Sequence, residues 1–433
     1  MERCDGPDTG AEESRRRGEA ESAWLYTLAL TLAAVVATRL PGVRLAVYTD
    51  FPYHRADGRL HAEQAFALFV ARLTGRMERL VVVGRLDPDP ASARHPLPDG
   101  VEFVALPHYP ALTRPLQSLT GMAQSLRRFW TALEMVDSVW LLGPHPLSLA
   151  FVLIARLRGR SVALGVRQDL PAYVERRHPG RLDLAIAARL LESSYRFLAR
   201  IYPTVVVGPA LRRLYRRAPR LLAVIVSLVE ETEIVTPGEA ADRTYEGPLQ
   251  VLSVGRLDAE KNPLMLADVL AALRDTEIDR WRLVVCGDGP LRGPLGSRLE
   301  QLELGRSAEL RGYVPVGSAL EETYRASHFL LLTSWTEGFP QVILEAFAAG
   351  VPVVATDVGG LREQASDAVE LVPAGDPAAA ARSLLRLASD DARRRQLVEA
   401  GIRYAHRHTG SAEADRLANF LAVDRTSPVA RRR

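Results

Sequence analysis

Cysteine is nearly absent: Cys4 and Cys286 are the two in 433 residues. They are too few and too far apart for a disulfide framework or a four-ligand zinc cluster, which fits a reducing compartment. The nine histidines show no HExxH or comparable ligand spacing. Charge of one sign is also lacking, at a net +3, so binding dominated by nucleic-acid phosphates is not indicated. Long apolar runs are missing too. Residues 23–37 (AWLYTLALTLAAVVA) fall short of the roughly 20 apolar residues a spanning helix needs. The run also lacks the basic start and small-residue cleavage site of a signal peptide. A buried or interfacial helix is the expectation, and nothing later is long and apolar enough to span. What remains is 47% hydrophobic and 25% charged, the composition of a globular protein with a core. The length implies two to three domains.

Patterning divides the chain. Residues 1–40 read as a charged, disordered lead-in ending in the apolar helix. Residues 41–218 alternate short apolar runs with helical ones. Strands are expected at 45–48, 80–83, 101–105, 138–142 and 162–166, with a loop at 50–58, helices at 61–73 and 147–158, and a mostly helical stretch from about 175 to 217 interrupted by a short apolar run at 204–207. Residues 219–247 are weakly patterned and serve as a linker. In 248–405 the alternation returns, with strands at 250–254, 282–286, 308–311, 329–332, 353–355 and 369–372. Helices fit between them at 263–274, 291–302, 341–349 and 377–388. A last helix and a basic tail occupy 406–433. Such alternation predicts an α/β protein of two Rossmann-like, doubly wound parallel sheets. A ligand then belongs in the cleft facing the carboxyl ends of both strand sets.

Residues 333–356, TSWTEGFPQVILEAFAAGVPVVAT, are the most informative. A strand ends near Thr333, a loop carries Glu337, Gly338 and Phe339, and Pro340 stands where a helix begins. Proline suits that position because its missing N–H has no intrahelical partner there. The N–H groups of Gln341 and Val342 then face the cleft at the positive end of a helix dipole, a ready phosphate site. Glu345 falls off the Ile343–Leu344–Phe347 core stripe, so it is either solvated or turned toward a ligand. Carboxylates accept hydrogen bonds from sugar hydroxyls. A second segment, VLSVGRLDAEKNP, places Gly255, Arg256 and Lys261 in a turn at the end of a strand. Negative charge builds on the leaving oxygen when a sugar departs from a diphosphate, and fixed cations stabilise it. Arginine and lysine in a turn also serve as plain surface charge.

Taken as an ordered set, EGFPQVILEA, VGRLDAEKNP, VVCGDGPL and VATDVGGLRE resemble the retaining group 1 glycosyltransferases, of the family-four type, with the GT-B fold. The resemblance is strong over about 250–375. It implies that Arg256 and Lys261 hold a donor diphosphate, that Glu337 contacts the transferred sugar, and that Glu345 contacts the ribose. It also implies that the backbone amides of Gly338, Phe339 and Pro340 line the sugar and phosphate site, and that Val314 lies near the nucleobase. In the first half the match is loose. Gly58 is the candidate for a glycine close to the diphosphate, and Arg167 stands where the family often places a histidine. The implied activity is transfer from a nucleotide-diphosphate sugar, without cofactor or metal, to a saccharide, lipid or small-metabolite acceptor. No side-chain nucleophile is needed, because the departing phosphate itself helps take the acceptor's proton.

Other signals have plainer readings. Cys286-Gly287-Asp288-Gly289-Pro290 lacks GxGxxG spacing and reads as a tight strand-to-helix turn. Asp87-Pro88-Asp89 lies among prolines and reads as a surface loop rather than a metal site. His145, in GPHPLS, is the histidine expected nearest the cleft. The arginine-rich 211–220 segment, LRRLYRRAPR, fits either a solvated helix face or peripheral contact with an anionic membrane, on the inner, cytoplasmic side. A nucleotide-sugar epimerase of the same architecture and a non-catalytic sugar-nucleotide binder are the competing functions.

Overall fold

The computed structural model describes residues 40–89, 94–108, 115–276 and 280–422. The lead-in with its apolar run, Cys4 and the basic tail from 423 therefore lie outside the described residues. The first half runs β1 (Leu40–Ala56), β2 (Arg59–Ala62), α1 (Phe66–Ala71), β3 (Met77–Leu86), β4 (His95–Pro96) and β5 (Glu102–Pro107). It continues with α2 (Pro115–Ala132), β6 (Ser138–Gly143), α3 (Pro146–Leu157), β7 (Ser161–Val166), α4 (Leu170–Arg177) and α5 (Leu182–Leu198). Then come β8 (Thr204–Val207), α6 (Pro209–Leu214) and β9 (Leu221–Val224).

The second half opens with α7 (Pro237–Ala241), β10 (Leu249–Val254), α8 (Leu264–Arg274), β11 (Trp281–Cys286), α9 (Arg292–Gln301) and β12 (Ala308–Gly312). It goes on through α10 (Ser318–Arg325), β13 (Phe329–Leu332), α11 (Gln341–Ala348), β14 (Val353–Thr356), α12 (Leu361–Ala365) and β15 (Val369–Val372). Helices α13 (Pro377–Ser389), α14 (Asp391–Arg407) and α15 (Gly410–Ala422) close the chain.

The second sheet is wholly parallel in the order β12-β11-β10-β13-β14-β15. The first keeps a parallel body, β5-β3-β1-β6-β7-β8-β9, and adds β2 and β4 antiparallel on the carboxyl-terminal extension of β1. Each sheet changes winding direction beside its first strand, at β1/β6 and at β10/β13. Such switch points open a crevice at the carboxyl ends of the strands. Both faces of each sheet are buried. Leu45 and Val47 enter one core and Ala46 and Tyr48 the opposite one, as the two-residue period of a strand requires. In the second sheet Leu330 and Leu332 pack on one face and Phe329 and Leu331 on the other.

Three expectations change, and one helix finds a place the sequence did not indicate. The 50–58 loop is the end of β1, which turns through Asp57 (φ 50°) and Gly58 (φ 72°) into β2. Asp-Gly is the two-residue hairpin signal, since both positions need positive φ, and the 61–73 helix shrinks to α1 with a short 3-10 turn after it. The linker begins inside the first sheet, because β9 pairs with β8. Helix α15 returns to the first domain, where Ala414, Leu417, Ala418 and Leu421 join the core of β1 and β3. Their spacing is one helical face. In the 211–220 segment Leu211 and Tyr215 are buried, and the Tyr215 hydroxyl donates to Glu192 at 2.9 Å. That segment's apolar face is therefore used inside the fold.

Candidate active site

The two sheets' carboxyl edges enclose a cleft of about 1130 Å³. Gly255, Arg256, Lys261, Val314, Glu337, Phe339, Pro340, Gln341 and Glu345 all line it, and Cys286 and Gly287 lie beside them. A Cβ on Gly287 would collide with the Gly255 carbonyl oxygen, so the two strand-end turns close only with glycine there.

The Arg256–Lys261 turn is held by its own charges. Arg256 is half exposed and pairs with Asp258 and, at 3.2 Å, with Glu260. The next turn ends at Asn262, in the left-handed region with φ 50°. The Thr333 hydroxyl donates to the carbonyls of Lys261 and Asn262 at 3.1 and 3.0 Å, tying this turn to the end of β13. The Lys261 ammonium then reaches Glu337 at 2.7 Å, and the Ser334 hydroxyl donates to the same carboxylate oxygen at 2.6 Å. Glu337 is thus fixed before any ligand arrives. Gly359, at φ 66°, packs so close to the Glu337 carbonyl that a Cβ would overlap it.

Pro340 stands just before α11 in an extended conformation, and Gln341 and Val342 face the cleft at its amino end. Ile343 and Leu344 anchor the helix in the core. The Phe339 ring turns away and stacks on Tyr404 at 5.5 Å, which leaves its backbone as the part available to a ligand. Glu345 accepts a 2.7 Å hydrogen bond from the Tyr324 hydroxyl. Burial raises its pKa, and the Tyr324 bond opposes part of that rise.

The first domain supplies the facing wall. Arg167, at the end of β7, donates to Asp50 and to Gln64, both at 2.6 Å, and lies over the rings of Phe51 and Phe66. Burial pulls the Asp50 pKa up, and Arg167 with His145 reverses it, leaving it below the usual range. His145 caps α3 by accepting from the Leu147 N–H at 3.2 Å through Nδ1. A donor aimed at Nδ1 places the ring proton on Nε2. Burial drives the His145 pKa down to about 4. From the same domain, Arg176 donates to the Trp335 carbonyl at 2.6 Å and Arg177 approaches Glu260 at 3.8 Å.

Two candidates sit elsewhere. Gly58 is at the tip of the β1–β2 hairpin with open space around it and does not line the cleft; the stretch that does is Glu63, Gln64, Ala65 and Phe66. Gly338 is not among the lining residues, although Glu337 and Phe339 on either side are; its backbone lies against Gly208 of the first domain. Asp87 and Asp89 are also away from it, with Asp87 accepting from the Asp89 N–H at 3.0 Å. Among the described residues no cluster of histidine, cysteine and carboxylate residues is arranged to hold a metal. Asp50, Gln64 and Tyr324 were not singled out from sequence. Asp50 carries a usable signal, a carboxylate at the end of the first strand run, whereas Gln64 and Tyr324 carry none.

Comparison with known proteins gives the arrangement a context. Residues 239–404 match the family "Glycosyl transferases group 1". A D-inositol 3-phosphate glycosyltransferase of Salinispora tropica is 39% identical over 185 residues, which is 40% of this chain and 36% of that protein. The chain thus spans well under two thirds of that relative's length. Among solved structures, sucrose-phosphate synthase from Thermosynechococcus elongatus superposes with a TM-score of 0.66 at 18% identity, over 87% of this chain and 98% of that one. Anabaena Alr3699/HepE in complex with UDP and glucose gives 0.64 at 15%, over 88% and 100%. Both likenesses show the GT-B fold.

Proposed function

We propose, from the match of residues 239–404 to the group 1 glycosyl transferases, that this chain moves a sugar from a nucleotide-diphosphate donor to an acceptor with retention of configuration. The observation that carries the reading is the Lys261–Glu337 pair, with Arg256 and the α11 amino end beside it in the cleft. The bond between the anomeric carbon and the phosphate oxygen breaks with its electrons going to that oxygen. Arg256, Lys261 and the helix end stabilise the charge that results. The acceptor hydroxyl bonds to the anomeric carbon, and its proton passes to the departing phosphate. Glu337 orients the sugar through its hydroxyls, and Glu345 holds the ribose.

Metal independence belongs to the same proposal, since two cations and a helix dipole supply the positive charge. The acceptor is a saccharide, a lipid or a small metabolite, worked on in the cytoplasm or at the inner face of an anionic membrane. No helix of the described residues is long and apolar enough to cross a membrane. A thermal-shift screen against UDP, GDP, ADP and their sugar conjugates, with and without chelator, tests the donor site. Ligand stabilises the native state according to its affinity. One responding nucleotide, insensitive to chelator and lost in Glu345→Ala, supports the reading. Silence from every nucleotide defeats it.

A further inference from the structure

Helix α5 is peculiar in how little it buries: of its 17 residues only Ala188, Glu192 and Tyr195 are buried. Leu182 is 76% exposed, Leu190 65% and Phe197 60%, with Ile186 and Ile201 also exposed. At the helical pitch the four on the helix fall within an arc of about 80°, and Ile201 follows in the turn after it. Arg189 and Arg196 border one edge of that arc, and Arg200 lies in the same turn as Ile201. Helix α3 is the neighbouring crossover over the same sheet core, and it leaves Leu153 and Leu157 exposed as well. Nine of the twelve large apolar side chains exposed among the described residues fall between Trp130 and Leu214. The exposed apolar side chains are concentrated in this stretch of the first domain.

Charge is concentrated with them. Residues 176–220 hold eleven arginines (176, 177, 181, 189, 196, 200, 212, 213, 216, 217 and 220) against two acids, Asp183 and Glu192, in a chain of net +3. Arg189, Arg200, Arg212, Arg216 and Arg217 are exposed and form no ion pair among the described residues. An apolar stripe edged by unpaired arginines matches a surface that is apolar inside and anionic at its boundary. A second copy of the chain does not match, because it would bring two arginine sets together.

We propose that the outer face of α5, with the exposed end of α3, docks the protein on an anionic lipid bilayer. The other side of α5 contributes Leu184, Ala187, Ala188 and Leu191 to the cleft wall. Docking therefore holds this wall of the cleft about one helix diameter from the bilayer, roughly 10 Å, close enough for an acceptor carried on a lipid. That last step rests on the transfer reading; the docking itself does not.

The test is co-sedimentation of the full chain with phosphatidylcholine vesicles, with and without roughly 30% phosphatidylglycerol, at low and high salt. Binding is expected only with the anionic lipid and weaker at high salt. The Ile186→Glu/Leu190→Glu and Arg189→Glu/Arg200→Glu variants should each lose about tenfold or more. Equal binding by wild type and both variants overturns the proposal. So does a drop of more than about 5 °C in the Tm of Ile186→Glu, which shows that another part of the chain covers the stripe. A wild-type dimer in sedimentation velocity, dissolved by the same changes, overturns it in favour of self-association. Nucleotide-induced thermal shifts, measured on the same variants, separate failure of docking from failure of the donor site.

Discussion

The two walls of the cleft are built in different ways. In the second domain the charged groups are gathered in two short turns, Arg256, Asp258, Glu260 and Lys261 in one and Ser334 and Glu337 in the other, which the Lys261–Glu337 pair joins across 76 residues. In the first domain Asp50, Gln64, His145 and Arg167 come from separate strand ends and loops, and the Arg167–Asp50 pair joins residues 117 apart. A site made within one loop is written in consecutive letters. A site made by folding distant loops together is not. The family match, confined to 239–404, falls on the local wall.

The largest effect should come from the local wall. Replacing Glu337 by Ala removes a sugar-orienting carboxylate and leaves Lys261 without its partner. Arg256→Ala removes one of the charges facing the leaving group. Transfer from a saturating nucleotide sugar should fall about 10²–10³-fold in either variant, the usual range for a lost transition-state contact. An unchanged rate in both would mean that the local wall is not the donor site.

The distant wall should show itself in pH. His145 titrates near 4 in the folded protein and near 6.5 when unfolded. Between those values the unfolded chain binds the extra proton, so stability rises with pH through this window and is lost on acidification from about 6.5 towards 4. The full difference is about 3 kcal/mol. His145→Asn keeps a side-chain acceptor for the α3 cap and should flatten the denaturation midpoint over that range. Asp50 acts at lower pH. Its folded pKa is depressed, so its contribution is present above the ordinary carboxylate value and fades below it. A slope unchanged in His145→Asn would place the acid sensitivity elsewhere.

A smaller effect is expected from Asp50→Asn, which keeps the shape and removes the charge that orients Arg167. Transfer should fall about tenfold through loss of positioning, while nucleotide still raises Tm as in the wild type. Loss of the nucleotide response as well would move Asp50 into the donor site and erase the contrast between the walls.

What sequence reasoning could see follows the same line. β13 and β15 lie where the apolar runs put them, because a buried parallel strand reads as a short continuous apolar run bounded by turn residues. β9 was missed because Leu221–Val224 is a short run whose strand character depends on β8 beside it. The return of α15 to the first domain is invisible for a similar reason: its face is helical in any context, and only the fold says which core it fills. Glu337 and Lys261 stand out because a proline-started helix and a cationic turn have local signatures. The Tyr324 bond to Glu345 spans 21 residues and has none. Arg167 stood at the end of a correctly read strand, but its ties to Asp50 and Gln64 came only with the structure.

Gly58 gives the smallest effect and the sharpest check on that correction. A diphosphate-binding glycine is needed so that backbone can approach ligand, and any Cβ there would damage transfer. A hairpin-tip glycine is needed only for its positive φ, here 72° with open space around it. Gly58→Ala should therefore cost about 1 kcal/mol of stability, the penalty of a Cβ in the left-handed region. Gly58→Asn should recover much of it, because asparagine tolerates that conformation. Transfer rates for both should stay within about twofold of wild type, as for a surface change away from the site. A large loss of transfer with unaltered Tm would instead bring the hairpin tip to the donor, and part of the diphosphate's grip would then come from the first domain.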